Sequence, residues 1–499
     1  MIDNGSMLDS GAPAIELTTR DGLADPGAVS AGYQAGRLDG RARAVLFVLL
    51  GAQFLVSVDF SILNVALPSI GRGLGISVGS LQWVATTFAL PAAGFTLLLG
   101  RVGDLVGRRR VFLAGLSLLA ASSLFGGFAT TPGALLVARA LQGFATAMTV
   151  PSAMALLTTS FPEGPARNRA LGLSGALLSG GFTAGALIGG VLTDTLSWRW
   201  AFLLNVPVAV AIAAVTPRLI RESRAPQRAR MDVPGAVSVT AGLLAFVFGV
   251  SEAGHRGWSD PFALGSMGLG LLLLALFFGI ESRVAAPLAP VRILSRPEVK
   301  WGNLGGLLVF SMESSVVYLM TLYLQDVLGY SPLVTGLVFG VPGIAAVVAG
   351  IVAHRIIGRA GARWVLVGGL TVQALANVAL LATGHDRSTG LTIIMVALGI
   401  GFFGHVTGIV AYVVTATSGL PDADQGLATA LSTLTQQVAL TVGIPILSSV
   451  VAARASAGTA TASADALISG VHTALAVDVG ITLTGALLIA VLLRASVRS

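Results

Sequence analysis

The 499-residue chain contains no cysteine. Disulfides and thiolate metal sites are therefore excluded. Its five histidines are scattered, without HExxH or comparable ligand spacing, so no metal centre is expected. Charge is scarce as well: charged residues make up 11% of the chain, against about 25% in an ordinary soluble domain. There is no GxxxxGK[ST] phosphate loop and no nucleophile motif, which argues against a nucleotide-driven machine and against an enzyme. The net charge of +7 would suit nucleic acid only if basic residues clustered with aromatics or along one helical face, and they do not.

What the chain does have is apolar residues, 54% of the total. They gather into runs long enough to cross about 30 Å of hydrocarbon, which takes roughly 20 helical residues. Fourteen such spans are predicted, near 44–70, 80–100, 111–130, 134–157, 169–191, 199–217, 235–252, 262–281, 301–325, 333–354, 363–383, 390–417, 426–452 and 469–493. Backbone groups in lipid must be satisfied within the segment, so these runs read as helices and the fold class as an all-α polytopic membrane protein.

Basic residues set the expected orientation. With both termini cytoplasmic, only Arg72, Arg199, Arg256, Arg387 and Arg454 fall in outer segments, and nearly all other Lys and Arg fall inside. That asymmetry fits a multi-pass cell-membrane protein with an even number of spans. Residues 1–43 are expected as a disordered cytoplasmic leader. Two longer inner loops, Arg218–Pro234 and Glu281–Lys300, bracket spans seven and eight. The expected organisation is a six-helix bundle at 44–217, an inserted helix pair with its loops at 218–300, and a second six-helix bundle at 301–499. "GRAGARWVLVGG" after span ten echoes "DLVGRRRVFLAG" after span two, pairing Gly107 with Gly361 and Arg109 with Arg363. Such repeats are common in transporters, whose substrate sites lie at the repeat interface.

The inner segment "GRVGDLVGRRR" (100–110) is more than a run of positive charge. Gly100, Gly103 and Gly107 allow close helix approach and a sharp turn, and Asp104 can pair with an arginine or cap a helix. Together with Arg108 and Arg109 the segment resembles the loop signature between spans two and three of the major facilitator superfamily, and the resemblance implies a conformational latch. "VDFSILNVALPSI" (58–70) resembles the span-one motif of the fourteen-span drug:proton antiporter family, placing Asp59, Asn64, Ala66, Leu67 and Pro68 on its positions. "LLVARALQGFATAM" resembles the span-four motif, with Arg139, Gln142 and Gly143 in place. "GGFTAGALIGGVLTDTLSWRWAFLLNVPV" resembles the span-five antiporter motif running into span six, except that Ala186 stands where the family usually has proline. The likeness extends over nearly the whole chain after residue 43. It implies a major facilitator fold, efflux of drugs or antibiotics, and no cofactor, with a proton gradient as the energy source.

Individual residues carry expectations of their own. Asp59, Arg139 and Glu313 are lone charges within long apolar runs, where an ionised group costs roughly 2.5 to 3.5 kcal/mol on insertion scales, so each needs a partner or a cavity. They are the candidates for proton coupling. Asp59 and Arg139 fall at similar depth, so that they can meet or share a proton path. Glu313, near the midplane of span nine, is the expected contact for a cationic substrate. Asn64, Gln142, Glu313, Tyr318, His405, Gln436 and Gln437 are the candidate lining of an otherwise apolar substrate cavity. His405 reads first as a hydrogen-bonded core histidine. Gly181, Gly185, Gly189 and Gly190 suit close helix packing and, with it, a hinge. Asp194, Glu252 and Asp326 are expected to be solvated at outer helix ends, and Asp478 to sit shallowly in the outer third of span fourteen.

An acid in a poorly hydrated cavity can take a proton on one side of a membrane and release it on the other when its surroundings change. If protonation and substrate favour opposite-facing states, the two are coupled. Expected partners are thus protons, small hydrophobic or cationic substrates and the lipid bilayer, with neither nucleic acid nor nucleotide, and a functional monomer. Two alternatives remain open from sequence: a proton-coupled transporter of a specific metabolite or lipid, and a non-transporting membrane sensor or scaffold. The second would call for a soluble signalling domain, and no such domain is evident.

Overall fold

The computed structural model describes residues 33–34, 37–161, 165–224, 232–284, 291–420, 422–455 and 464–493. Most of the expected leader, Arg228 and Arg230 of the first long inner loop, and Arg494 and Arg498 lie outside the described residues. The chain forms fourteen long helices among those described: α1 (Gly40–Leu74), α2 (Val78–Val106), α3 (Arg108–Gly127), α4 (Pro132–Ser160), α5 (Pro165–Thr195), α6 (Asn205–Leu219), α7 (Val233–Arg256), α8 (Pro261–Glu281), α9 (Pro297–Leu322), α10 (Pro332–Ala360), α11 (Ala362–Ala379), α12 (Arg387–Thr417), α13 (Asp422–Ala455) and α14 (Ala464–Leu492). A short turn of helix, Trp200–Leu203, leads into α6, and α9 continues as a π-helical turn, Tyr323–Val327. Thirteen candidate membrane spans stand out by length and apolar character among the described residues. The 31-residue α5 completes the fourteen that the apolar runs predict. Residues Tyr33–Gln34 and Arg37–Leu38 pair as a two-residue antiparallel ladder ahead of α1.

Helix ends follow local chemistry. Asp39 accepts a hydrogen bond from the Ala42 amide at 2.6 Å and starts α1 inside the stretch expected as leader. Thr131, Asp232, Asp260, Ser331 and Asp386 cap α4, α7, α8, α10 and α12 in the same way. Three of these caps are followed by Pro at the first helical position, where its missing N–H costs nothing. Only Gly107 separates α2 from α3, and its φ of 131° belongs to a region that side-chain-bearing residues avoid. α5 runs without a break through Ala186, so the alanine that replaces the family proline leaves a continuous helix.

Alternating crossings bring the start of α1 and the end of α14 to one face of the protein, here called the near face. α1–α6 form one bundle and α9–α14 the other. α7 and α8 pack on each other, and α7 lies along α2 and α13, with the Thr240 hydroxyl donating to the Gly94 carbonyl at 2.5 Å. α8 buries few of its side chains, and leucines such as Leu269, Leu271, Leu272 and Leu276 point outward as a lipid-facing helix requires.

The two bundles meet most closely in their far halves. Arg72, at the end of α1, pairs with Asp326 beyond α9 at 3.1 Å. Gln325 Nε2 donates to the Val65 carbonyl at 2.8 Å, Thr441 Oγ1 to the Ala89 carbonyl at 2.9 Å, and Ser448 to the Gln82 side chain. α5 and α10 cross where Gly190 and Gly336 face each other. A Cβ at Gly190 would lie 2.7 Å from the Pro332 carbonyl oxygen, and one at Gly336 would lie 2.5 Å from the Ala186 carbonyl oxygen. Asp326 is therefore a bridge between bundles and not the simple solvated helix end expected for it.

This crossing yields a test. Gly336→Leu should wedge α5 from α10 and lengthen the far-face distance between spin labels at Leu196→Cys and Ser388→Cys, sites made clean by the absence of native cysteine. An unchanged distance distribution would show that the glycine crossing does not govern closure.

Candidate functional site

Asp59 and Arg139 meet. Arg139 Nη1 lies 3.1 Å from Asp59 Oδ2, and both side chains are 1% exposed. Their surroundings complete a network. Arg139 Nη1 also donates to Gln142 Oε1 at 2.8 Å, and Arg139 Nε donates to the Val84 carbonyl at 3.1 Å. Gln142 Nε2 reaches Asp59 Oδ1 at 3.2 Å and Ser123 Oγ at 2.8 Å. Asn205 Nδ2 donates to Asp59 Oδ1 and lies 3.4 Å from Ser123 Oγ. The guanidinium stacks over the Phe88 ring, 4.1 Å from its centroid.

Five helices of the first bundle build this site. α1 supplies the acid, α4 the base and the glutamine at (i, i+3), α3 the serine, α6 the asparagine, and α2 the carbonyl and the ring. Close approach is possible because Gly143 has no Cβ: one there would strike the Phe88 carbonyl. On the other side of α1, a Cβ on Gly181, Gly185 or Gly189 would press on Ser57, Val58 and Ile62 respectively. The glycine stripe of α5 thus packs against the segment that carries Asp59, while Gly190 turns to α10.

Two members of the network, Ser123 and Asn205, were not foreseen. Asn205 is a lone polar residue in the apolar run "FLLNVPV", whereas Ser123 lies beside Ser122 and nothing in the sequence sets it apart. Asn64, expected in the cavity, instead donates to the Phe60 carbonyl of its own helix at 3.2 Å. Tyr318 is buried in the packing around α9. Gln436 and Gln437 are half-buried on α13. His405 is a hydrogen-bonded histidine, its Nδ1 3.1 Å from the Val309 carbonyl between the rings of Phe310 and Phe402.

Glu313 is not joined to the Asp59 network. It is 3% exposed, and neither carboxylate oxygen has a described hydrogen-bond partner. Asp478, expected in the outer third of span fourteen with its access to water left open, is fully buried, and Asn377 Nδ2 donates to its Oδ2 at 2.8 Å. Depth along a helix leaves that question open, because it says nothing of which face the neighbouring helices cover.

At the near face, Asp104 pairs with Arg108 at 2.7 Å and with Arg101 at 4.0 Å. Gly100 and Gly103 lie against Pro151 and Ser152 of α4. Glu222, from the loop after α6, accepts from the Arg109 and Arg110 amides at 2.9 and 3.2 Å and so caps α3. A Cβ on Gly107 would collide with that carboxylate at 2.7 Å. Glu222 was not foreseen, since nothing in "RLIRESR" distinguishes a capping acid from a solvated one.

A chain of this helix count, with an acid–base pair inside one bundle and a glycine-turned loop between its second and third helices, matches the sequence profile of the Major Facilitator Superfamily over residues 49–444. The chain belongs to the major facilitator superfamily. Among the superfamily proteins to which it is similar, the cephamycin export protein CmcT of Amycolatopsis lactamdurans is 38% identical over 81% of this chain and 84% of its own length. The puromycin resistance protein pur8 of Streptomyces alboniger is 37% identical over 90% of both chains. A POT family transporter crystallised with 5-aminolevulinic acid superposes with a TM-score of 0.67 at 14% identity, over 92% of this chain and 97% of that one. At that identity the likeness concerns the fold alone. Membership in the superfamily makes the chain a multi-pass membrane transporter.

The buried pair makes its own prediction. Arg139→Met should lower the unfolding midpoint in detergent, because removing one partner of a buried ion pair costs about 3–5 kcal/mol. Asp59→Asn combined with Arg139→Met should recover most of that loss. Equal stability of the single variant and the parent would show that the pair contributes nothing to folding.

Proposed function

We propose that the chain exports hydrophobic or amphipathic compounds, antibiotics among them, across the cell membrane by alternating access, using a proton gradient. The observation that carries this reading is the Asp59–Arg139–Gln142–Asn205 network: a buried acid whose charge is balanced by one base and whose oxygens are held by neutral donors. A proton arriving on Asp59 cancels its attraction to Arg139 and leaves the guanidinium to its remaining partners, Gln142, the Val84 carbonyl and the Phe88 ring. The helices that the pair ties together, α1 and α4, are then free to shift. The export and resistance roles in the names of CmcT and pur8 support efflux as its direction.

In this reading the near face is cytoplasmic and both termini lie there, in keeping with the excess of arginine on that side. The closed far half, bridged by Arg72–Asp326, corresponds to a state open to the cytoplasm. Asp104 is then between duties: it holds arginines of its own segment and becomes a latch when the near halves approach. Half-buried Gln436 and Gln437 supply polar contacts on an otherwise apolar path, which suits bulky substrates of varied structure. The transporter works as a monomer.

Asp59→Asn mimics the permanently protonated acid. In proteoliposomes with an imposed pH gradient, it should lose gradient-driven transport of a fluorescent lipophilic cation, of puromycin and of a cephamycin, while direct binding to the purified variant persists. Full gradient-driven transport by this variant would refute the assignment of Asp59 as carrier.

Asp104→Asn should slow turnover and leave equilibrium affinity within a few-fold, since the residue acts on the switch between states. A large loss of affinity with normal cycling would place Asp104 in a binding site.

A further inference from the structure

The second bundle holds a buried polar cluster of its own. Asn377 on α11 is bonded to Asp478 on α14. One turn earlier on α11, Gln373 Nε2 reaches the Val309 carbonyl of α9 at 3.4 Å, and one turn beyond Val309 stands Glu313. One turn beyond Asp478 stands Thr482. The helices that carry Glu313 and Asp478, α9 and α14, pack on each other. None of these five side chains is more than 3% exposed. Both Glu313 oxygens, Asp478 Oδ1, Asn377 Oδ1, Gln373 Oε1 and Thr482 Oγ1 have no described hydrogen-bond partner.

The cluster is the counterpart of the Asp59 network. Gly107 and Gly361 take positive φ immediately before α3 and α11, and Ser123 and Asn377 lie equally far into those helices. α1 supplies Asp59 where α9 supplies Glu313, and α6 supplies Asn205 where α14 supplies Asp478. The cation has no counterpart. Counting from the first residue of α4 and of α12, Arg139 corresponds to Ile394, which is fully buried and apolar. The first bundle thus balances one acid with one base, and the second sets two acids together where the base has been replaced.

The other ionisable groups on the packed elements do not restore the balance. On α9, Glu298 and Lys300 lie at the near end, and Tyr318 lies beyond Glu313. Tyr323 and Asp326 follow in the π turn, with Asp326 held by Arg72. Arg363 of α11 is at the near end, bonded to the Ala490 carbonyl. On α13, Asp422 and Asp424 are at the near end and Arg454 at the far end. Asp465 and His472 occupy the far part of α14, His472 beside the Thr383 hydroxyl at 3.2 Å. On α12, Arg387 lies at the far end over the Tyr330 ring, Tyr412 donates to the Ser432 carbonyl, and His405 shares the Val309 carbonyl with Gln373, a contact that a neutral ring protonated at Nδ1 satisfies. Two carboxylates buried together without a base do not both keep their charge.

We infer that Glu313 and Asp478 belong to a second proton-binding site, in which this buried cluster takes up a proton from solvent on its carboxyl groups and Asn377 fixes the orientation of Asp478. Its part in transport rests on the proton-driven reading above, where it adds a site that Asp59 does not touch. Its existence rests on the cluster alone.

Infrared pH titration of the full-length protein in detergent reads protonated carboxyl groups by their C=O stretch and needs no substrate. A buried-carboxyl band should persist in Asp59→Asn. Glu313→Gln and Asp478→Asn should each remove it or move its midpoint by about one pH unit or more, because each variant relieves the other acid of a like charge. Asn377→Ala, which keeps both acids, should shift the band frequency and guards against a misfolded acid variant. A band untouched by both acid variants would overturn the inference. So would a midpoint that moves when sodium replaces choline, since the cluster would then hold a metal cation. Loss of gradient-driven transport with the band intact, or the reverse, separates this site from the proton-driven reading itself.

Discussion

In hydrocarbon an ionised side chain has no water to turn to, and its charge must be met by groups that the chain itself brings within reach. The Asp59–Arg139 pair is where this constraint presses hardest. Each partner alone would be an uncompensated buried charge, so the helices that carry them cannot be moved apart without a replacement for the lost attraction. The supporting donors are all neutral. Gln142 and Asn205 fix the carboxylate without adding charge, and the Phe88 ring offers the guanidinium a second face. The pair is thereby held tightly, and in the proposed cycle a single proton on Asp59 is what releases it.

Much of the first bundle is arranged around that need. Gly143 lets α4 lie directly on the α2 backbone, and the α5 glycines let α1 be covered on its opposite face. Small residues in membrane helices serve van der Waals packing, because lipid is as apolar as leucine and gives no hydrophobic drive to association. Here the same packing excludes water from the acid. Energetically the consequence runs both ways, since dry surroundings strengthen the ion pair and raise the cost of breaking it.

The two bundles repeat one backbone plan and differ in charge. Glycine turns, helix order and the turn that carries Ser123 or Asn377 recur, while arginine gives way to isoleucine and asparagine to aspartate. A repeat architecture can keep its backbone while changing the chemistry at equivalent positions, because backbone hydrogen bonds are satisfied within each helix whatever the side chains do. The contacts between bundles are of another kind. They concentrate in the far halves and consist of one exposed ion pair, several side-chain hydrogen bonds and a glycine crossing, an interface suited to opening and closing.

The sequence by itself determined the number of spans, the places of the long loops and the isolation of Asp59, Arg139 and Glu313, because each follows from hydrocarbon thickness and the cost of charge, which act along the chain. Motif spacing also singled out Gln142 and the Gly107 turn. Tertiary structure decided which polar residues meet. Ser123, Asn205 and Glu222 looked like ordinary polar residues until helix packing brought them to Asp59 and to α3. Asp478 seemed shallow until α11 and α9 covered it, and Asp326 seemed solvated until the second bundle met Arg72. Contacts between residues far apart in the chain depend on helix rotation and crossing, and the apolar pattern of a membrane helix does not encode these, since lipid-facing and protein-facing surfaces are both apolar.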